Sequence, residues 1–253
     1  TYENTSVAPN DSNRTVTWLV NDGDANSSSV STESSVSGVN SAPVIQGIGE
    51  TFFFAEDSAA MVIDSSLDLS DVDDANIQSA TITISVGYAS SEDVLAFTNT
   101  SEITGSWDSD LGMLTLSGPA TKAQFEAALE SVTYQNTNNS DPNNGTRVVS
   151  WVINDGDANS SAVSSTISVS DVNDAPVVGA AGGIMTFTEG GGPNKIDQGL
   201  SVTDVDDANL ASATVTIVSG YVNTEDVLAF TNTDNITGSW DPSAGVLTLS
   251  GSD

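Results

Sequence analysis

The sequence predicts an all-β protein: a tandem array of small β-sandwich repeats, with one short helix in the complete repeat. Three observations carry this. Apolar and polar residues alternate over short Thr/Val/Ile-rich runs bounded by Gly, Asn, Asp and Ser, the pattern of half-buried strands. Long segments recur at one spacing: DVDDAN at 71–76 and 204–209, EDVLAFTNT at 92–100 and 225–233, ITGSW at 103–107 and 236–240, and NDGDAN at 21–26 and 154–159, each pair 133 residues apart, while APV at 42–44 returns at 175–177. That period is too long for a helical solenoid and suits one small β domain plus a linker.

On this period, residues 45–177 form a complete repeat, 1–44 the C-terminal part of a preceding repeat, and 178–253 the N-terminal part of a following one. Neither flanking part carries a counterpart of 121–133. Both ends read as cut from something longer, and no signal peptide is visible at Thr1.

Taken in order, residues 80–86 (ATITISV) place Ile82, Ile84 and Val86 on one face of a strand. MLTLSG does the same with Leu114 and Leu116, and VSWVI at 149–153 with Val149, Trp151 and Ile153. STISV at 165–169 and GIMTFTE at 183–189 also read as strands. Many short alternating strands at such spacing predict an antiparallel sandwich. Trp107, Trp151, Tyr88, Tyr134 and Phe97 are its natural core aromatics, recurring at Trp240, Trp18, Tyr221, Tyr2 and Phe230. Between the strands, Thr121 to about Glu130 reads as a helix. Thr121 and Gln124 have capping-box spacing, and Phe125, Ala128 and Leu129 form its apolar stripe. It is expected to cross between two strands and plug one edge or end of the sandwich.

Composition narrows the function. The 253 residues include 35 acidic and 4 basic side chains, a formal net charge of −31, and neither His nor Cys. Disulfides, Cys/His zinc sites and Ser-His-Asp or Cys-His catalysis are therefore excluded. Such a chain repels nucleic acid and anionic lipid, and no apolar run reaches membrane-spanning length, so neither nucleic-acid binding nor membrane insertion is expected. Disorder is the first alternative for so acidic a chain, but 38% of its residues are hydrophobic and they alternate in strand patterns. A compact state with this many carboxylates needs cations to relieve self-repulsion.

The acids are grouped in a way that points to specific cation sites. Each repeat has Glu56 (Glu189 in the next copy) ending an apolar strand. It has Asp71, Asp73 and Asp74 (Asp204, Asp206 and Asp207) in a turn, and Asp155 and Asp157 (Asp22 and Asp24) after the Trp-containing strand. The linker DVNDAPVV at 171–178 adds Asp171, Asn173 and Asp174. Alternate residues of an extended segment point the same way, so Asp-x-Asp can aim two carboxylates at one ion. Clustered hard oxygens suit Ca²⁺, which takes six to eight of them at about 2.3–2.6 Å. The bland alternative is that Asp and Asn simply cap turns. DVDDAN is no EF-hand loop: its sixth position is not Gly, and no Glu stands at the twelfth.

DVNDAPVV resembles the D-x-N-D-x-P linker of cadherins and bacterial cadherin-like repeats. LTLSG, the TKAQFEAALESVTYQN segment and DPNNGTRVVSWVINDGDANSS together resemble the long tandem repeats of bacterial surface adhesins of the RTX type. The match covers essentially the whole chain. It implies Ig-like, cadherin-like sandwiches strung end to end in an extended array outside the cell, with Ca²⁺ at the junctions. Such an array is an extender that holds a binding domain away from the surface.

Carried over residue by residue, the resemblance implicates Glu56, Asp171, Asn173, Asp174, Asp204 and Asp206 at the second junction. Asn40, Asp71, Asp73, Asp155 and Asp157 belong to the first. Glu189, Asp22 and Asp24 belong to partial sites. The first junction departs from the pattern: it reads GVNSAPV at 38–44, with Gly38 and Ser41 where the linker has acids. Fewer charged ligands imply weaker binding and a more bendable joint there.

Two other readings stand beside the extender. The flanking parts are complementary pieces of one repeat, so identical copies joining head-to-tail would complete each other and build a filament. Loops such as 136–146 could instead bind a glycan or protein. A carboxylate-pair hydrolase is disfavoured, because the acids sit in polar turns of a repeated unit and not in a cleft. No enzymatic activity is expected.

Overall fold

The protein is described by a computed structural model covering residues 1–251 other than 48, 50 and 181. Its contacts divide it into two compact units, Thr1–Asp171 and Val172–Asp253.

The first unit begins with a hairpin of β1 (Arg14–Trp18) and β2 (Val30–Ser34). There follow β3 (Val44–Gln46), β4 (Thr51–Ala55), β5 (Met61–Val62), β6 (Asp68–Ser70) and the long β7 (Asn76–Val86). Next come β8 (Asp93–Ala96), β9 (Thr104–Asp108), β10 (Met113–Thr121), helix α1 (Lys122–Leu129), β11 (Thr133–Asn136), β12 (Gly145–Asn154) and β13 (Val163–Ser170). The main sheet has the order β4-β13-β12-β7-β10-β9, and a second sheet has the order β5-β11-β8. One core cluster joins them. Ile82, Ile84, Leu114, Leu116, Val149, Trp151 and Ile153 come from the main sheet, Leu95 and Tyr134 from the other. Phe54 meets Tyr134 edge-to-face at 5.3 Å between ring centres.

The alternation that predicted these strands is the alternation of their burial, and the all-β sandwich with one helix holds. One pairing is not antiparallel: β4 lies parallel to β13 along the sheet edge, from Thr51 opposite Thr166 to Ala55 opposite Ser170. Val86 does not share the buried face of Ile82 and Ile84. The register slips between Val148 and Val149 on the neighbouring strand, and Val86 ends up exposed. A second slip, between Ser117 and Ala120, bends β10 at Gly118, whose φ of 137° no L side chain adopts readily.

Helix α1 has the predicted cap. Thr121 Oγ1 accepts from Gln124 N, and the Gln124 side chain accepts from Thr121 N at 3.0 Å. Phe125, Ala128 and Leu129 are its buried residues, packed in the same core.

An ion pair lies inside this unit. Arg147 Nε donates to Asp93 Oδ2 at 2.8 Å, with the two side chains 1% and 0% exposed. Asp93 also accepts from Tyr134 Oη at 2.6 Å and from Ala89 N at 2.7 Å, and Arg147 Nη2 donates to the Asn143 carbonyl at 2.7 Å. Burial, and then the Asp93 carboxylate, push the Tyr134 phenol well above its ordinary range.

The second unit holds β14 (Val177–Gly179) paired with β15 (Ser201–Thr203), and a sheet of order β16-β18-β17 from β16 (Ser212–Thr216), β17 (Ile236–Asp241) and β18 (Val246–Gly251). These three repeat parts of β7, β9 and β10 one period later. Residues 183–189, read from sequence as a strand, form none. Their counterpart, β4, is held by β13, whereas no described strand pairs with 183–189. Without a neighbour to satisfy its N–H and C=O groups, an apolar run gains nothing by extending.

The repeated aromatics diverge for the same reason. Trp151 and Tyr134 are fully buried, while Trp18 is 62% and Tyr2 50% exposed, against the expectation that both pack in a core. β1 and β2 form a two-stranded sheet with nothing described across its apolar face.

Candidate metal centre

Two turns and one linker build the first cluster, all within the first unit. In the turn after β6, Asp71 Oδ1 accepts from Asp73 N at 3.0 Å and Asp74 N at 2.9 Å. After β12, Asp155 Oδ1 accepts from Asp157 N and Ala158 N, both at 2.7 Å. A clasp between Asn154 and Asn159 at 2.7 Å closes that loop. β7 and β12 are neighbours in register, with Ser79 opposite Asn154, so the two turns lie at the same end of the sheet.

One carboxylate oxygen each from Asp71, Asp74 and Asp155 lie within 4.8 Å of one another. Two oxygens on opposite sides of a Ca²⁺ ion are about 4.6–5.2 Å apart, so this spacing fits ligands of one ion. Asp71 Oδ2 is buried and has no hydrogen-bond partner. The donor set is entirely hard oxygen, which suits Ca²⁺ and not a soft metal.

The electrostatics carry the mark of crowded negative charge. Burial, and then the charges of Asp71, Asp155, Asp73 and Asp157, push Asp74 above the ordinary carboxylate range. Burial pushes Asp155 the other way from its hydrogen bonds; those from Ala158 N, Asn40 and Asp157 N outweigh it and hold the group low.

The 38–44 linker reaches this cluster. Asn40 Nδ2 donates to Asp155 Oδ2 at 3.0 Å, and Ser41 N donates to Asp73 Oδ2 at 2.9 Å. Asp73 is therefore turned toward the linker, while its neighbour Asp74 joins Asp71. The stretch is a turn and not an extended strand, and Asp73 is not in the converging group, whereas its counterpart Asp206 does converge with Asp204 in the second unit. Asp157 is exposed, with its N–H on Asp155.

Sequence reasoning passed over Lys122. Its Nζ donates to the carbonyls of Asp71 and Asp74, each at 2.6 Å, and so ties the acidic turn to the start of α1. A cation three residues before the helix's first core residue gave no signal that it served the turn. Asp64 was also missed: it is buried, and its Oδ2 has no hydrogen-bond partner.

The remaining residues divide between the two units. In the first, Glu56 is buried and follows β4, and its N–H donates to the Ser170 carbonyl at 2.9 Å. Asp171 follows β13, next to that bond, and its Oδ1 is buried without a hydrogen-bond partner. In the second, oxygens of Asp204, Asp206 and Asp207 lie within 4.8 Å of one another. Asp206 Oδ2 accepts from Asp174 N at 2.7 Å, repeating the bond between Asp73 and Ser41 one period earlier. The hydrogen bond with Asp204 and that from Asp174 N hold Asp206 below the ordinary range. Asn173 donates to the Asp174 carbonyl at 2.6 Å. Glu189 is exposed in a turn. Asp22 and Asp24 are exposed on the hairpin, where Asp22 Oδ1 accepts from Asp24 N at 3.0 Å, as Asp155 does from Asp157.

The 136–146 loop spends its polar groups on its own support. Glu92 accepts from Asn136, Asn138 and Asn143 N, the last at 2.8 Å.

No protein-family model matches the chain. Over 90 residues, 32% of its length, it is 37% identical to halomucin of Haloquadratum walsbyi, a stretch that spans 1% of that protein. Among solved structures, protocadherin gamma B2 extracellular cadherin domains 1–5 align over 95% of this chain and 38% of theirs, at 14% identity and a TM-score of 0.30. Domains 4–9 of the surface layer protein SbsC align over 94% of this chain and 31% of theirs, at 11% identity and a TM-score of 0.21. Superpositions this loose carry no argument about activity, and the chain spans well under half of either protein. Among the described residues, no helix is long and apolar enough to cross a membrane.

Proposed function

We propose that the chain is a calcium-stiffened spacer of a large extracellular surface adhesin, contributing to attachment by position and not by catalysis. One observation carries this reading: one oxygen each of Asp71, Asp74 and Asp155 lie within 4.8 Å of one another, and the buried Oδ2 of Asp71 has no hydrogen-bond partner. A turn used only for its own hydrogen bonds would leave no such atom. The linker touches the same cluster through Asn40 on Asp155, and Ser41 N holds the adjacent Asp73, so an ion held there would also fix the linker. Bound only by the folded state, it would add stability by mass action.

In this reading the carboxylates repel when calcium is withdrawn, and the chain bends more freely at its linkers. The likeness of one segment to halomucin supports a repeat of a large protein. Small-angle scattering of the chain with millimolar calcium and with a chelator tests the proposal. A narrower, more extended distance distribution in calcium is expected. An identical profile in both would overturn it.

A further inference from the structure

One face of α1 grips the acidic turn between β6 and β7. Lys122 and Glu126 stand four residues apart, about one helical turn, and so share a face. Both are half-buried. Lys122 Nζ donates to the carbonyls of Asp71 and Asp74, each at 2.6 Å, and Glu126 Oε2 accepts from Leu69 N at 3.0 Å. The stretch from 69 to 74 is thus tied to the helix at three places. The helix is itself anchored, by its capping box and by buried Phe125, Ala128 and Leu129. β10 brings its first residue to the turn, since Thr121 pairs with Asn76 at the start of β7.

The grip is selective within the turn. The carbonyls that Lys122 takes belong to Asp71 and Asp74, the two residues of this turn whose carboxylates converge with Asp155. Asp73 lies between them, and its carboxylate turns to Ser41 N. Asp71 Oδ1 closes the turn from inside by accepting from Asp73 N and Asp74 N. With its carbonyl on Lys122 and its Oδ1 on the turn, Asp71 has Oδ2 left over, buried and without a hydrogen-bond partner. Among the described residues Lys122 forms no ion pair, so the ammonium fixes the main chain and leaves the carboxylates open to an ion.

We propose that Lys122, supported by Glu126, is a positioning residue of this calcium site. It sets the main chain so that Asp71 and Asp74, and not Asp73, present their carboxylates beside Asp155. The proposal rests on the calcium reading of the cluster and assigns α1 a part in it. Two effects of Lys122 on an ion oppose each other. An ammonium repels a nearby cation, so charge alone makes Lys122 a penalty whose removal tightens binding. Groups that hold ligands from behind act the other way, and losing one costs about 10–100-fold in metal affinity. The second effect prevails here: without the clamp, the ion itself must gather three carboxylates that repel one another.

Calcium titration of the full chain, followed by amide NMR spectra, is the test. The amides of Asp73, Asp74 and Ala158 report this cluster, and that of Asp207, bonded to Asp204 Oδ1 at 3.0 Å in the second unit, is the internal control. The amides of Val149 and Trp151, in the core of the first unit, show whether each variant is folded. K122M is expected to weaken calcium binding at the first reporters about 10–100-fold and to leave the Asp207 response unchanged. E126A, which removes the acceptor for Leu69 N, is expected to weaken binding at the same reporters. E126Q keeps an acceptor oxygen without the charge and is expected to bind as the wild type does. If K122M unfolds, the contrast between E126A and E126Q decides alone. Equal or tighter binding by K122M, or E126A and E126Q that behave alike, overturns the positioning role and leaves the metal reading standing. A wild-type chain whose Asp74 and Ala158 amides ignore millimolar calcium overturns both.

Discussion

Arg147 and Asp93 meet at 2.8 Å in the interior of the first unit, 54 residues apart in sequence, and neither side chain is more than 1% exposed. The pair organises one end of the sandwich, since Tyr134, Asn136 and Asn143 all bond to one or other of them. Removing one charge strands the other. R147M is therefore expected to cost about 3–5 kcal/mol, measured by urea unfolding, while D93L/R147M recovers much of that loss.

Tyr134 gives this end of the sandwich an alkaline limit. Its folded pKa is raised, by burial first and by Asp93 second. A raised pKa contributes stability that is complete below the unfolded value of about 10 and is lost as pH climbs toward the folded one. Thermal melts above about pH 10 should thus show declining stability. Y134F should flatten that decline while lowering stability at neutral pH by about 1.5–3 kcal/mol, the worth of a hydrogen bond to a charged group.

The acidic turn should behave oppositely with and without metal. Asp74 is raised by burial and by its acidic neighbours. In chelator its contribution is complete below an unfolded pKa of about 3.9 and is lost as pH rises through the folded value. D74N therefore stabilises the calcium-free protein at neutral pH and weakens calcium binding. Melting curves of D74N and wild type should change order between chelator and millimolar calcium.

The helix cap was legible in the sequence, and its energetic share can be checked. T121A is expected to cost about 1 kcal/mol through the lost cap. F125A, which empties a buried site, should cost about 3–5 kcal/mol.

What the sequence disclosed, and what it hid, follows from the range of the interactions. Period-2 alternation placed β7, β10, β12 and β13, because burial of Ile82, Leu116, Trp151 and Ile167 is set by each strand's own pleat. The repeat located the acidic turns. It could not show that Asp74 and not Asp73 converges with Asp71, since that depends on how the turn folds back on Asp71 Oδ1. Nor could it pair Arg147 with Asp93, because they sit on strands of different sheets and only the packing of the two sheets joins them. The run at 183–189 has the composition of a strand but no neighbour, and Trp18 has the sequence surroundings of Trp151 but no opposing sheet.

In the proposed function, the clustered carboxylates hold divalent ions. A crystal structure of the chain grown in millimolar calcium, with anomalous scattering to identify the metal, tests it most directly. Calcium bonded to Asp71, Asp74 and Asp155 at about 2.3–2.6 Å is expected. Those three carboxylates facing only water in such a crystal would contradict it.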